Sequence, residues 1–220
     1  MQGKIKELIA IKKPVIVVDI DGVLSHYYED LIAETEVRWG KAYGINEDHT
    51  KMWGVDYGEG MRRLQELRED GFYGRLGHDR DAVQALNELS RTYSIITATS
   101  RPLHLEQITS RWLKDIYGSS ISANIHVGIF DDVNVSYEQQ LQTTKVGLIK
   151  KLRDQGLNLA WFIDDEPKHA GGVAAELGVP TIHVRKQWHQ SDVVDALPQS
   201  VVRLDAWQAI YAHIVGRVAV

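Results

Sequence analysis

The sequence predicts an α/β fold: a three-layer, Rossmann-like parallel sheet covered by helices on both faces, with a small helical insertion after the first strand. Short apolar runs alternate with stretches whose apolar residues recur at three- and four-residue spacing, the order that builds parallel strands linked by helical crossovers. The first run, Val15-Ile16-Val17-Val18, is apolar at every position, as a strand buried on both faces must be. The gap between the first and second runs is too long for one crossover.

Taken in order, the strand candidates are residues 15–20, 94–99, 124–129, 159–163 and 181–184. Helical patterns cover 81–91, 103–117, 145–155 and 168–177. Gly156, Gly178 and Pro180 fall where helices should stop and strands begin. Residues 26–77 form the insertion, rich in Trp, Tyr, Arg and Glu, with helical patterns at 29–43 and 59–70. The core domain is therefore expected from 1–25 and 78–220, and the inserted helical unit from 26–77. Near the C-terminus Trp207, Ile210, Tyr211, Ile214, Val215 and Val218 recur at helical spacing. They predict a helix packed on the sheet, with a subunit contact as the alternative.

Composition narrows the class. A chain of 220 residues suffices for one such domain with an insertion. Its 44% hydrophobic and 25% charged residues are ordinary for a soluble globular protein. A net charge of −5, without any Lys/Arg block, argues against a nucleic-acid polymer as partner. There is no cysteine, which excludes disulfides, thiolate metal sites and cysteine nucleophiles. The opening Met1-Gln2-Gly3-Lys4-Ile5-Lys6-Glu7 is charged and no long apolar stretch follows before Pro14. The expectation is a cytoplasmic protein, monomer or homodimer, with neither signal peptide nor membrane span.

Chemistry concentrates where strands end. The first strand runs into Asp19-Ile20-Asp21-Gly22, at the carboxyl edge where parallel sheets carry their sites. Two carboxylates so close repel unless a cation or a shared proton offsets them. The second strand ends in Thr97-Ala98-Thr99-Ser100-Arg101-Pro102, where hydroxyls followed by a helix suit a phosphate oxygen. Thr97 and Thr99 point to the same side, and Pro102 marks the turn, favouring Thr99 as the rim hydroxyl. Thr144-Lys145-Val146-Gly147 opens a helix, and a lysine in a first turn works against the helix dipole unless its charge is used. The fourth strand ends in Asp164-Asp165-Glu166-Pro167, short acidic side chains of the kind that hold Mg²⁺. Asp131-Asp132 also follows an apolar run, but it precedes Lys145 and Val133–Gln142 reads as a loop, so a turn or capping role is expected there, with a metal pair as the alternative. The histidines, including His26, His169 and His189, lack metal-ligand spacing.

The order strand-DxDG, strand-Thr-Ser, Lys, strand-Asp-Asp resembles the haloacid dehalogenase (HAD) superfamily, from about Val15 to Val184. Gly71-Phe72-Tyr73-Gly74-Arg75-Leu76, Thr99-Ser100-Arg101-Pro102 and Ile163-Asp164-Asp165-Glu166-Pro167 further resemble its 5′-nucleotidase (5′(3′)-deoxyribonucleotidase-like) branch, whereas Gly77-His78-Asp79-Arg80-Asp81 departs from it. The resemblance implies a HAD-like core with a cap and a phosphoric monoester hydrolase. In that reading Asp19 is the nucleophile and Asp21 the acid and base. Thr99 and Lys145 hold the phosphoryl oxygens. Mg²⁺ is held by Asp19, the Asp21 backbone carbonyl and one of Asp164 or Asp165, with Asp164 favoured as nearer the strand end. Ser100, Arg101 and the aromatics Tyr27, Tyr28, Trp53, Phe72 and Tyr73 are candidates for substrate contact. The expected partner is a small phosphorylated metabolite such as a nucleoside monophosphate. A sugar phosphate is the alternative substrate, and an idle ligand- or partner-binding domain the alternative class.

Overall fold

A computed structural model describes residues 2–45, 48–128, 144–189 and 191–217. The first helix, α1 (Gln2–Ile11), precedes β1 (Val15–Val18). Three helices follow before the next strand: α2 (Tyr27–Trp39), α3 (His49–Trp53) and α4 (Tyr57–Glu69), then a short 3₁₀ turn at Phe72–Gly74. The alternation then runs α5 (Arg80–Leu89), β2 (Ser94–Pro102), α6 (Glu106–Tyr117), β3 (Ala123–Gly128), α7 (Lys145–Asp154), β4 (Leu159–Asp164), α8 (Pro167–Leu177) and β5 (Thr181–Val184). The described chain ends in α9 (Ser191–Asp195), β6 (Val201–Leu204) and α10 (Trp207–Gly216). The predicted aspartate pair Asp131-Asp132 lies outside the described residues.

The six strands form one sheet in the order β3-β2-β1-β4-β5-β6, and every neighbouring pair is parallel. The order reverses at β1, which is the switch point at which open α/β sheets bind ligands. Val18 sits in register with Thr97 on one side and Ile163 on the other. The residues that follow these three positions are therefore delivered to one rim.

Alternation along β1 assigns the layers. Ile16 and Val18 face a cluster with Ala82, Leu86, Trp112, Leu113, Trp207 and Ile210, from α5, α6 and α10. Val15 and Val17 face Ile5, Leu8, Ile149, Leu152 and Val173, from α1, α7 and α8. This is the two-residue period of a strand buried on both sides. The inserted helices add no strand, and their buried Leu31, Met52, Trp53, Leu67 and Phe72 join the first of these clusters. Among the described residues no helix is long and apolar enough to cross a membrane.

The segments that enter and leave the insertion are tied to the core by three buried donors. Trp207 Nε1 donates to the Val23 carbonyl at 3.0 Å, Tyr117 Oη to Leu24 at 2.9 Å, and Trp112 Nε1 to Leu76 at 2.8 Å. Buried carbonyls need such partners. Helix ends follow local rules: Asp79 caps α5 by accepting from the amides of Asp81 and Ala82, and Thr144 caps α7 through Gly147. Pro167 opens α8, and Gly178 closes it at a φ of 62°.

Trp207→Ala is expected to lower stability by about 3–5 kcal/mol through the cavity it leaves. Trp207→Phe, which mainly strips the donor from Val23, should cost about 1–3 kcal/mol. Urea unfolding of the two variants measures both losses, and a Trp207→Phe protein as stable as the wild type would contradict the assigned hydrogen bond.

Candidate active site

β1, β2, β4 and the first turn of α7 bring Asp19, Asp21, Thr99, Ser100, Arg101, Lys145 and Asp165 to the wall of one cavity of about 800 Å³. Asp164 lies behind them, fully buried. The opposite wall comes from the insertion and includes Tyr27, Tyr28, His49, Leu64, Arg68 and Tyr73.

Lys145 organises the floor. Its ammonium is 2.7 Å from Asp19 Oδ1 and 2.8 Å from Asp164 Oδ2. Burial would lower its pKa, but the two carboxylates more than reverse this and hold it charged. Asp19 Oδ1 also accepts from the Ile20 amide at 2.7 Å. Among the described residues no donor is bonded to Asp19 Oδ2. Burial pushes the Asp19 carboxyl up to about 7 against the pull of Lys145, with Asp164 raising it further.

The neighbouring acids differ in kind. Asp164 Oδ2 takes Lys145, and Oδ1 accepts from the Glu166 amide at 2.8 Å, with His169 Nδ1 at 3.4 Å. Although burial opposes its charge, Lys145 and then His169 keep Asp164 well below the usual carboxylate range. Asp165 is also buried, yet no donor among the described residues is bonded to its carboxylate. Burial, then Asp19 and Asp164, push it well above the ordinary value. Its backbone carbonyl is tied to His183 Nε2 at 2.8 Å.

Ligand atoms from Asp19, Asp164 and Asp165 lie within 4.8 Å of one another. Three carboxylates face one ammonium, leaving a surplus of two formal negative charges when all are ionised. An all-oxygen, anion-rich set of this kind fits a hard divalent cation such as Mg²⁺. Since both oxygens of Asp164 already carry donors, Asp165 and Asp19 are the side chains with capacity left.

Gly22 explains how Asp165 fits. The glycine adopts a φ of +80°, and a Cβ there would sit 2.1 Å from Asp165 Oδ2. The glycine of the DxDG run thus makes room for the second acid of β4. Nothing in the linear sequence links the two residues.

The end of β2 separates the two threonines. Thr97 Oγ1 donates to Asn124 Oδ1 at 2.8 Å, from the register position directly opposite on β3. Asn124 Nδ2 reaches His126 Nε2 at 3.0 Å, and His126 Nδ1 reaches the Arg101 carbonyl at 3.0 Å. These partners require Nδ1 to carry the proton and Nε2 to accept. Burial favours that neutral form by lowering the His126 pKa. Thr99, unlike Thr97, lines the cavity, and its Oγ1 accepts from the Arg101 amide at 3.2 Å.

The aromatic candidates divide too. Trp53 packs on Trp39 and donates to Thr35, and Phe72 is buried beside Tyr27 and Tyr73. Neither lines the cavity. Tyr27 stacks on Tyr73 and pairs with His49 Nε2 at 3.1 Å. Tyr28 is only half-buried on the cavity wall and meets Trp188 at 5.0 Å. His49 and Arg68 were not anticipated, because a single polar residue on a helical pattern carries no signal of what it faces.

No protein-family model matches the sequence, and no curated protein matches it. The structure is similar to a haloacid dehalogenase-like hydrolase from Streptococcus pneumoniae, with a TM-score of 0.64 at 14% identity over 92% of this chain and 99% of that one. It is also similar to a HAD-superfamily hydrolase of subfamily IA from Geobacter sulfurreducens, with a TM-score of 0.55 at 17% identity over 90% and 97%. A 2-haloacid dehalogenase from Pseudomonas syringae gives 0.53 at 13% identity over 94% and 99%. At these identities the likeness establishes the fold, which is the HAD-like α/β fold.

The Asp165 environment makes a metal-linked prediction. Millimolar MgCl₂ should raise the melting temperature of the wild type, by an increment worth about 1.4 kcal/mol at ten times Kd. Asp165→Asn should lose this increment while matching or exceeding the wild type without metal. Gly22→Ala should lose it as well, because the added methyl displaces the Asp165 carboxylate. Differential scanning fluorimetry with and without Mg²⁺ tests all three proteins.

Proposed function

We propose that the protein is a Mg²⁺-dependent phosphomonoesterase that works through an aspartyl-phosphate on Asp19. The observation that carries this reading is the paired state of Asp19: Lys145 and the Ile20 amide hold Oδ1, and Oδ2 is left without a bonded donor. That is the arrangement of an oriented carboxylate nucleophile.

Asp19 Oδ2 attacks phosphorus, and the leaving alcohol departs with a proton from Asp21. Asp21 then takes a proton from the water that hydrolyses the acyl phosphate and regenerates Asp19. Lys145 and the Thr99 hydroxyl bind the phosphoryl oxygens, Lys145 meanwhile favouring ionised Asp19. Ser100 lines the same wall and is assigned to the substrate. Asp19, Asp165 and the Asp21 backbone carbonyl would hold the magnesium ion, with Asp164 acting through Lys145 instead of binding directly. The ion would offset the charge of a phosphate dianion among these carboxylates and polarise the phosphoryl group. The hydrolase descriptions of the proteins that share the fold support the class of reaction. The presence of Asp19, Asp21 and Lys145 in one cavity weighs against an idle domain.

The substrate is a small phosphorylated metabolite. A nucleoside monophosphate would stack its base on Tyr28, the one half-buried ring among the predicted aromatics on the cavity wall. A cavity of about 800 Å³ can admit a ligand of that size.

Wild-type protein should hydrolyse p-nitrophenyl phosphate with Mg²⁺ and lose that activity in EDTA, and Asp19→Asn should fall to the uncatalysed background. Full activity in Asp19→Asn would overturn the nucleophile assignment. In a panel of nucleoside monophosphates and sugar phosphates, nucleotides should rank above the generic ester, and Tyr28→Ala should raise their KM more than that of sugar phosphates.

A further inference from the structure

Arg101 follows the phosphate-binding Thr99-Ser100 pair, and sequence alone suggests that it binds substrate. Its side chain is otherwise engaged. Nε donates to Asp21 Oδ2 at 2.9 Å and Nη2 to Asp21 Oδ1 at 2.6 Å, a fork-to-fork pair. Nη1 donates to Thr109 Oγ1 at 3.2 Å from the buried face of α6. The guanidinium lies 5.1 Å from the centre of the Tyr73 ring and 5.7 Å from that of Trp112. The backbone is tied on both sides, through the Thr99 hydroxyl and His126. The Arg101 side chain is 1% exposed, against 22% for Asp21.

We propose that Arg101 is the positioning residue for Asp21, leaving a single lone-pair direction on Asp21 Oδ2 for proton transfer to the leaving group. A carboxylate offers about four acceptor directions. Arg101 Nη2 and the Ser25 hydroxyl, at 2.9 Å, fill those of Oδ1, and Arg101 Nε fills one of Oδ2. The bidentate plane sets the rotation of the carboxyl group, which a monodentate partner would not. Thr109 in turn sets the rotation of the guanidinium from a position outside the cavity lining. The chain of control therefore runs from α6 through Arg101 to the acid.

This inference rests on the phosphomonoesterase reading. It separates Arg101 from a phosphate ligand by leaving-group dependence. A misdirected acid penalises esters whose alcohol needs a proton, whereas a lost phosphate contact penalises all esters alike. The probes are p-nitrophenyl phosphate and phenyl phosphate, compared as kcat/KM, with inhibition by inorganic phosphate as an independent measure of phosphate binding. Arg101→Lys keeps the charge but loses the fork. It should reduce kcat/KM about 10²-fold on phenyl phosphate and less than about tenfold on p-nitrophenyl phosphate. Its inhibition constant for phosphate should stay within about threefold of the wild type, because an untouched contact set preserves affinity.

Thr109→Val, isosteric and outside the cavity, should show the same leaving-group split in weaker form, and keeps the test open if Arg101→Lys does not fold. Equal losses on both esters together with weakened phosphate inhibition would make Arg101 a phosphate ligand and overturn the proposal. Unchanged kinetics in both variants would overturn it as well. A wild type inactive on both esters would instead defeat the phosphomonoesterase reading itself, and this proposal with it.

Discussion

The Lys145 ammonium between Asp19 and Asp164 is the constraint on which the rest of the site depends. All three side chains are nearly or fully buried, and charges in that position are costly unless they are paired at close range. Two of the carboxylates lie at the ends of adjacent strands, β1 and β4, whose register sets Val18 beside Ile163. The ammonium comes from the first turn of α7, where the helix dipole is unfavourable to it. Sheet order, strand register and helix placement therefore have to agree before the charges can balance. The apolar residues of β1 and β4, packed on both faces, supply the stability that such a placement consumes.

The balance is deliberately incomplete at Asp165. Asp164 has donors on both oxygens, but Asp165 has none among the described residues and is raised by burial and by its acidic neighbours. A cation bound among these carboxylates would offset that unpaired charge. Gly22 is part of this design. Its positive φ and missing Cβ let the β1 loop approach the Asp165 carboxylate closely.

Asp21 obtains its partner by a different route. The carboxylates of Asp19 and Asp21 are separated by one residue in sequence, yet Lys145 takes one and Arg101 the other. The two positive charges come from different elements, Lys145 from α7 and Arg101 from the end of β2. This divides the pair into a buried carboxylate and a partly exposed one, the two to which the proposed roles of nucleophile and acid are assigned. The surrounding tyrosines and His49, from the insertion, line the far wall, where Tyr28 is half-buried against Tyr27 and Trp188.

Much of this was legible in the chain. Asp19, Asp21, Thr99, Lys145 and the Asp164-Asp165 pair each end an apolar run or open a helix, and such placement is a local signal. The core strands and helices appeared within a few residues of their expected bounds for the same reason. α1, α3, α9 and β6 were not anticipated: they are short or irregular in pattern, and β6 is a half-exposed edge strand, so periodicity says little about them. By itself, then, the sequence determined the layered α/β architecture and the list of residues at the rim, because both follow from local spacing. Only the tertiary structure decided the partners: Lys145 to Asp19 and Asp164, Arg101 to Asp21, Gly22 beside Asp165, and Thr97 withdrawn to Asn124. Those pairings join residues up to 143 positions apart, Gly22 to Asp165 (165 − 22), and are set by strand register and charge balance, which no local pattern encodes.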